Sequence, residues 1–163
     1  HEEREAAIFI LCYRFKKGDA GIKKKIYEFY LDNLAGVNNW DLVDVSADRI
    51  VGAYLDLSGE SRDVLYKLAN SKILWERRVA IMATFHFIKK NEFEETLKIA
   101  KMLLKDKEDL IHKAVGWMLR EVGKRDLAAE EKFLKELYQK MPRKCLEIQE
   151  RMGTDVGAGR VLG

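Results

Sequence analysis

A chain of 163 residues that is 47% hydrophobic and 35% charged, with one proline, suits a single globular domain with a sizeable core. It holds no window of about 18 uncharged apolar residues, which excludes a membrane-spanning helix, and its longest apolar run, Ala6 to Tyr13, is too short and too poorly flanked for a signal peptide. The net charge of +3, from 30 Lys+Arg against 27 Asp+Glu, permits a nucleic-acid partner without arguing for one, because recognition depends on where the charge sits.

Every readable segment is helical. Glu2 to Phe15 repeats apolar residues at helical spacing, and Ile22 to Leu34 does the same after Gly18-Asp19. Asn39 is placed to cap a helix from Trp40 to about Asp56. Gly59-Glu60-Ser61 breaks it, and Ser61 is expected to cap a shorter helix ending at Ala69. A helix from Trp75 to Lys89 follows. Asn91 and Glu94 have the spacing of a capping box ahead of Thr96 to Leu104. Asp109 to Val122 and Leu127 to Lys140 complete the series, with Pro142 at the start of a last helix. No alternating strand pattern interrupts it, so the fold class expected is all-α. Cys12 and Cys145 have neither ligand spacing nor a disulfide framework and read as reduced cytoplasmic thiols.

Glu3 to Phe9, Glu76 to Met82 and His112 to Met118 align at offsets of 73 and 36 residues, and the Trp40 helix fills the empty slot between the first two. That period is the period of helix pairs stacked as HEAT or armadillo repeats, so the expected architecture is a right-handed α-solenoid of HEAT-like antiparallel pairs. In one repeating column Ala7, Ala80 and Gly116 are small, where a neighbouring helix should approach closely. The same column carries Asp44. The solenoid is expected over residues 1–152, with a glycine-rich flexible tail over 153–163.

Three aromatic and charged words stand out: Asn39-Trp40-Asp41-Leu42-Val43-Asp44, Leu74-Trp75-Glu76-Arg77-Arg78-Val79-Ala80-Ile81 and Ile111-His112-Lys113-Ala114-Val115-Gly116-Trp117-Met118-Leu119-Arg120-Glu121. Together and in this order they resemble the AlkD-like DNA alkylation repair enzymes, glycosylases built of HEAT-like repeats. The resemblance runs from about Glu2 to Arg143. It implies excision of positively charged N-alkylated purines, such as 3-methyladenine and 7-methylguanine, from duplex DNA by a monomer with no metal or organic cofactor. Carried over by motif, Asp44 would be the catalytic carboxylate. Trp40 and Trp117 would pack against the deoxyribose and backbone of the lesion, and Arg78 would hold the adjacent phosphates, with Lys113 and Arg120 as further candidates for backbone charge. Family members have additional helices before the position of His1, which the present sequence is expected to lack. After Arg143 they continue with a basic helix in place of the present Lys144 to Ile148 and its glycine tail.

Residue chemistry agrees with that assignment on separate grounds. An alkylated purine already carries positive charge and departs as a neutral base, so what needs stabilising is the cation that grows on the sugar, as in glycoside hydrolysis. A fixed carboxylate serves that need, and aromatic faces add roughly 0.5 to 2 kcal/mol each. Asp44 lies four residues after Trp40, hence on the same helical face. Competing assignments exist for the same residues. A tryptophan in a helical repeat is more often core than ligand contact, and Trp75 is read as core. Arg77, Arg78 and Lys113 could form a solvated face, and Asp-to-Arg ladders between repeats compete for Asp44 and Arg78. His86 is expected in the core or at its boundary and His112 at the surface, neither at metal-ligand spacing. A non-catalytic module for distorted DNA and a protein-binding scaffold are the alternative functions.

Overall fold

The computed structural model describes residues 2–150, so the expectation for a glycine-rich tail over 153–163 lies outside the described residues. Helices α1 (Glu2–Lys17) and α2 (Ala20–Asp32) are followed by α3 (Trp40–Ala47), which runs through a π-helical turn at Asp48–Gly52 into α4 (Ala53–Ser58). Then come α5 (Asp63–Ala69), α6 (Leu74–Ala83), α7 (Phe85–Ile88), α8 (Glu94–Leu103), α9 (Asp109–Gly123), α10 (Leu127–Leu137) and α11 (Arg143–Glu150). There is no strand among the described residues.

Local chemistry sets most of these boundaries. Glu2, Glu3 and Glu5 occupy the first turn of α1, and Arg14, Lys16 and Lys17 the last, each sign at the end of the helix dipole that favours it. The Asp19 carboxylate accepts from the Ile22 N–H at 2.8 Å and opens α2. Asn39 Oδ1 accepts from the Trp40 N–H at 2.9 Å and opens α3. Gly59, at φ +65°, ends α4 in the left-handed conformation that favours glycine.

The helix expected from Trp75 to Lys89 is broken at Thr84 into α6 and α7, and two helix starts also differ from the sequence expectation. Ser61 accepts from the Asp63 N–H, but the helix begins at Asp63 itself. Asn91 takes φ +62° and turns the chain ahead of α8, which begins at Glu94 after Phe93, so the expected capping box does not form. Asn is one of the few residues that tolerates that backbone region.

The helices form two rows. In the first, α1 packs beside α3, α3 beside α6, α6 beside α9 and α9 beside α11. The second holds α2, α5, α8 and α10, with α5 seated between α6 and α8 and α10 against α9. This is the helical-repeat, solenoid-like architecture that the 36-residue period predicts. Leu42, Val43, Val79, Ile81, Ile111 and Val115 from three successive first-row helices are fully enclosed and make the core continuous.

The small column behaves unevenly: Ala80 is buried, Gly116 receives the Cys145 backbone of α11 so closely that a Cβ would stand 2.6 Å from its carbonyl oxygen, and Ala7 is exposed.

The π turn sits where α3–α4 meets the α6–α7 junction. A Cβ on Gly52 would overlap the Ala83 carbonyl oxygen and stand 2.7 Å from His86 Cβ, so this contact requires glycine. Gly52→Ala is expected to cost on the order of 1 to 3 kcal/mol, as overpacking against rigid backbone does. Thermal melting checks it: a fall of several degrees is expected, and an unchanged midpoint would mean that the two helices part without cost.

Candidate active site

Asp44 lies in the middle of α3 and Arg78 in the middle of α6, and the two side chains meet between the helices. Arg78 donates from Nε to Asp44 Oδ1 at 2.9 Å and from Nη2 to Oδ2 at 2.8 Å, a bidentate pair. Its Nη1 donates to the carbonyl of Leu110 on α9. One guanidinium therefore ties three successive first-row helices together, and it does so while only 5% exposed. The Asp44 side chain is 14% exposed, so it is not fully enclosed. A carboxylate offers about four acceptor positions, and the bidentate clamp uses two.

Arg77 makes a parallel set of bonds one repeat edge away. Its Nε and Nη2 donate to Asp106 at 2.6 and 3.2 Å, and its Nη1 to the Ser71 carbonyl at 3.0 Å. Burial raises the Asp106 carboxyl, but Arg77 and the Glu108 N–H outweigh it and leave that group below its ordinary value.

Trp40 stands on the same face of α3 as Asp44, one turn away, and is 53% exposed. Trp117, on α9, is half-buried, with its ring centroid 6.2 Å from that of Phe85. Lys89 Nζ lies 4.8 Å from the Phe85 centroid and reaches Asp48 Oδ2 at 2.6 Å. Asp48 is four residues beyond Asp44 on the continuing helix, so the chain of contacts from Trp117 returns to the face that carries Trp40 and Asp44. Lys113 is exposed one turn before Trp117 on α9.

The two arginines expected to stand at the surface do not. Arg78 is buried in its clamp, and Arg120 is also 5% exposed, in the last turn of α9. Neither presents the free guanidinium that a phosphate contact needs. His112, expected at the surface, is buried, with Nε2 2.6 Å from the Asp106 carbonyl oxygen. His86 is half-buried as expected at the boundary, and its Nε2 lies 2.9 Å from Asp56. Lys90 and then His86 hold the Asp56 carboxyl below its ordinary range.

Trp75 packs partly buried against the core. Asp48, Phe85 and Lys89 were not singled out by sequence, although the i, i+4 spacings Asp44–Asp48 and Phe85–Lys89 were there to be read. Among the described residues no group of three or more His, Cys, Asp or Glu side chains is placed to hold a metal ion, and no helix is long and apolar enough to cross a membrane.

Comparison with known proteins adds the family. The model of a family described as DNA alkylation repair enzyme matches residues 1–147. The chain belongs to that family. The AlkD-like resemblance carried by the three sequence words is thereby confirmed, and with it a general role in DNA alkylation repair. A solved structure described as a predicted DNA alkylation repair enzyme from Enterococcus faecalis has the same fold, with a TM-score of 0.73 at 18% identity over 95% of this chain and 70% of that one. No curated protein matches.

Proposed function

We propose that this member of the DNA alkylation repair enzyme family is a glycosylase that releases positively charged N-alkylated purines, such as 3-methyladenine and 7-methylguanine, from duplex DNA. The observation that carries the proposal is Asp44: a carboxylate fixed by a bidentate guanidinium, its side chain not fully enclosed, on the face of α3 that exposes an indole.

The bond between the sugar C1′ and the purine nitrogen breaks with its electron pair moving to the base. The alkylated purine carries a positive charge and leaves neutral, and the charge appears on the sugar as an oxocarbenium-like centre. Water then adds to C1′ and gives up a proton, leaving an abasic site. Asp44 supplies fixed negative charge opposite the developing cation, where preorganised electrostatics act most strongly. Trp40 and Trp117 face the sugar and its backbone and add cation-π attraction. Arg78 is a positioning residue in this scheme. Its clamp fixes the carboxylate before substrate arrives, so no reorganisation is needed during the reaction. Lys113 supplies phosphate contact from the exposed side of α9.

No general acid is required to protonate a base that already bears the charge. Protonation by a positioned acid typically contributes about 10²- to 10⁴-fold, so duplexes carrying a neutral lesion, hypoxanthine, should release base at least about a hundredfold more slowly than those carrying 7-methylguanine. Equal single-turnover rates for the two lesions would show that the leaving group is protonated by the protein and would overturn the scheme.

Trp40→Ala tests the aromatic part. Loss of roughly 0.5 to 2 kcal/mol of cation stabilisation corresponds to a rate roughly two- to thirtyfold lower. The side chain is more than half exposed, so the melting temperature should stay nearly unchanged. An unaltered rate would return Trp40 to ordinary surface packing.

A further inference from the structure

A cleft of about 960 Å³ opens between the C-terminal half of α1, the first turn of α2, the π turn and α7. Lys16, Lys23, Arg49 and Lys89 line it together with His86, and no carboxylate does. Lys89 is engaged by Asp48 and His86 by Asp56. Among the described residues the ion pairs include none to Lys16, Lys23 or Arg49. Lys23 Nζ lies over the Phe15 ring, 5.9 Å from its centroid.

Phe9 and Tyr13 form an apolar wall, 54% and 65% exposed. A cleft lined by charge of one sign between low-dielectric walls focuses its field and concentrates counter-ions. The thiol within it, Cys12, donates to the Val45 carbonyl and is pushed up to about 11 by burial, so it is no nucleophile at neutral pH.

Position links the cleft to the active site. Arg49 follows Asp44 by five residues on the same continuing helix, about 7.5 Å along the axis and roughly 140° around it, while Lys89 joins the cleft to Asp48, four residues beyond Asp44, and to Phe85 and Trp117 through its ring contact. With Arg78 and Arg120 buried, Lys16 and Arg49 are exposed cations of the first row, and the cleft gathers them with Lys23 of α2.

We propose that the cleft is a phosphodiester-binding groove that seats the DNA backbone on the α1 side of the lesion, with Lys16, Lys23 and Arg49 each neutralising a phosphate. The identity of the ligand as DNA rests on the glycosylase reading; the anion-binding character rests on the cleft alone. The test compares the parent chain with Lys16→Ala/Lys23→Ala/Arg49→Ala. A control of equal charge change, Lys101→Ala/Lys132→Ala/Lys135→Ala, places its substitutions on exposed second-row positions of α8 and α10.

Binding of a fluorescent undamaged duplex is measured by anisotropy across a salt series, alongside single-turnover release of 7-methylguanine at saturating protein. Each lost phosphate contact should reduce the slope of log affinity against log salt by about 0.9, so the cleft variant should lose about 2 to 3 in slope and the control almost nothing. Release by the parent chain reports on the glycosylase separately from the slope.

An unchanged slope, an equal change in the control, or a parent that does not bind duplex would overturn the groove. If the parent releases base and the cleft variant keeps the full slope, the glycosylase stands and the groove falls. If the slope drops but the parent releases no base, the groove stands as a DNA contact and the glycosylase falls.

Discussion

Asp44→Asn is expected to slow single-turnover release of 7-methylguanine by roughly a hundred- to a thousandfold, the usual effect of removing one preorganised electrostatic group. The substitution keeps shape and one hydrogen-bond acceptor but removes the charge opposite the sugar cation. The clamp adds a second consequence. Arg78 would keep its charge in a buried position with only an amide oxygen and the Leu110 carbonyl to donate to, so stability should fall by about 2 kcal/mol. Rates must therefore be compared at a temperature where both proteins are fully folded. A carboxylate that serves only as the tie between α3 and α6 would show the loss of stability and spare the rate.

Arg78→Ala has the larger expected effect on the fold. It leaves Asp44 without its counter-charge and the Leu110 carbonyl without its donor. Breaking a buried ion pair from one side costs on the order of 3 kcal/mol or more, which for a domain of this size lowers the melting temperature by roughly 6 to 12 °C. Base release should fall as well, because the carboxylate loses its fixed orientation. The salt dependence of DNA binding should not change, since a guanidinium enclosed between three helices neutralises no phosphate. A slope reduced by about one would restore Arg78 to the phosphate backbone. Arg78→Lys keeps the charge without the planar fork and should recover only part of either property.

The helical order and the repeat were legible in the sequence because they depend on local spacing. Asn39 ahead of Trp40, Gly59 after Ser58 and Asp19 ahead of α2 are capping signals that act within a few residues. Trp40 and Asp44 could be put on one face for the same reason.

Burial was not legible in this way. Arg77 and Arg78 are adjacent in an exposed-looking run, and helical geometry turns them about 100° apart. Which of them meets Asp44 and which meets Asp106 follows only from how α6 lies between α3 and α9. His112 looked like a surface residue for a similar reason: its partner, the Asp106 carbonyl, belongs to the loop before its own helix and carries no side-chain signature. The π turn is invisible to hydrophobic periodicity, since one widened turn merely shifts the register. The basic cleft draws its cations from α1, α2, the π turn and the end of α7, so no single window of sequence contains it.

Release of free base is the measurement closest to the central claim. The chain is incubated in excess over a duplex carrying one 7-methylguanine, and the supernatant and the strand are analysed over time. Free 7-methylguanine and an abasic site are expected in equal amounts, formed faster than spontaneous depurination and in proportion to folded protein. A duplex that is bound but keeps its 7-methylguanine, with release no faster than in buffer alone, would contradict it.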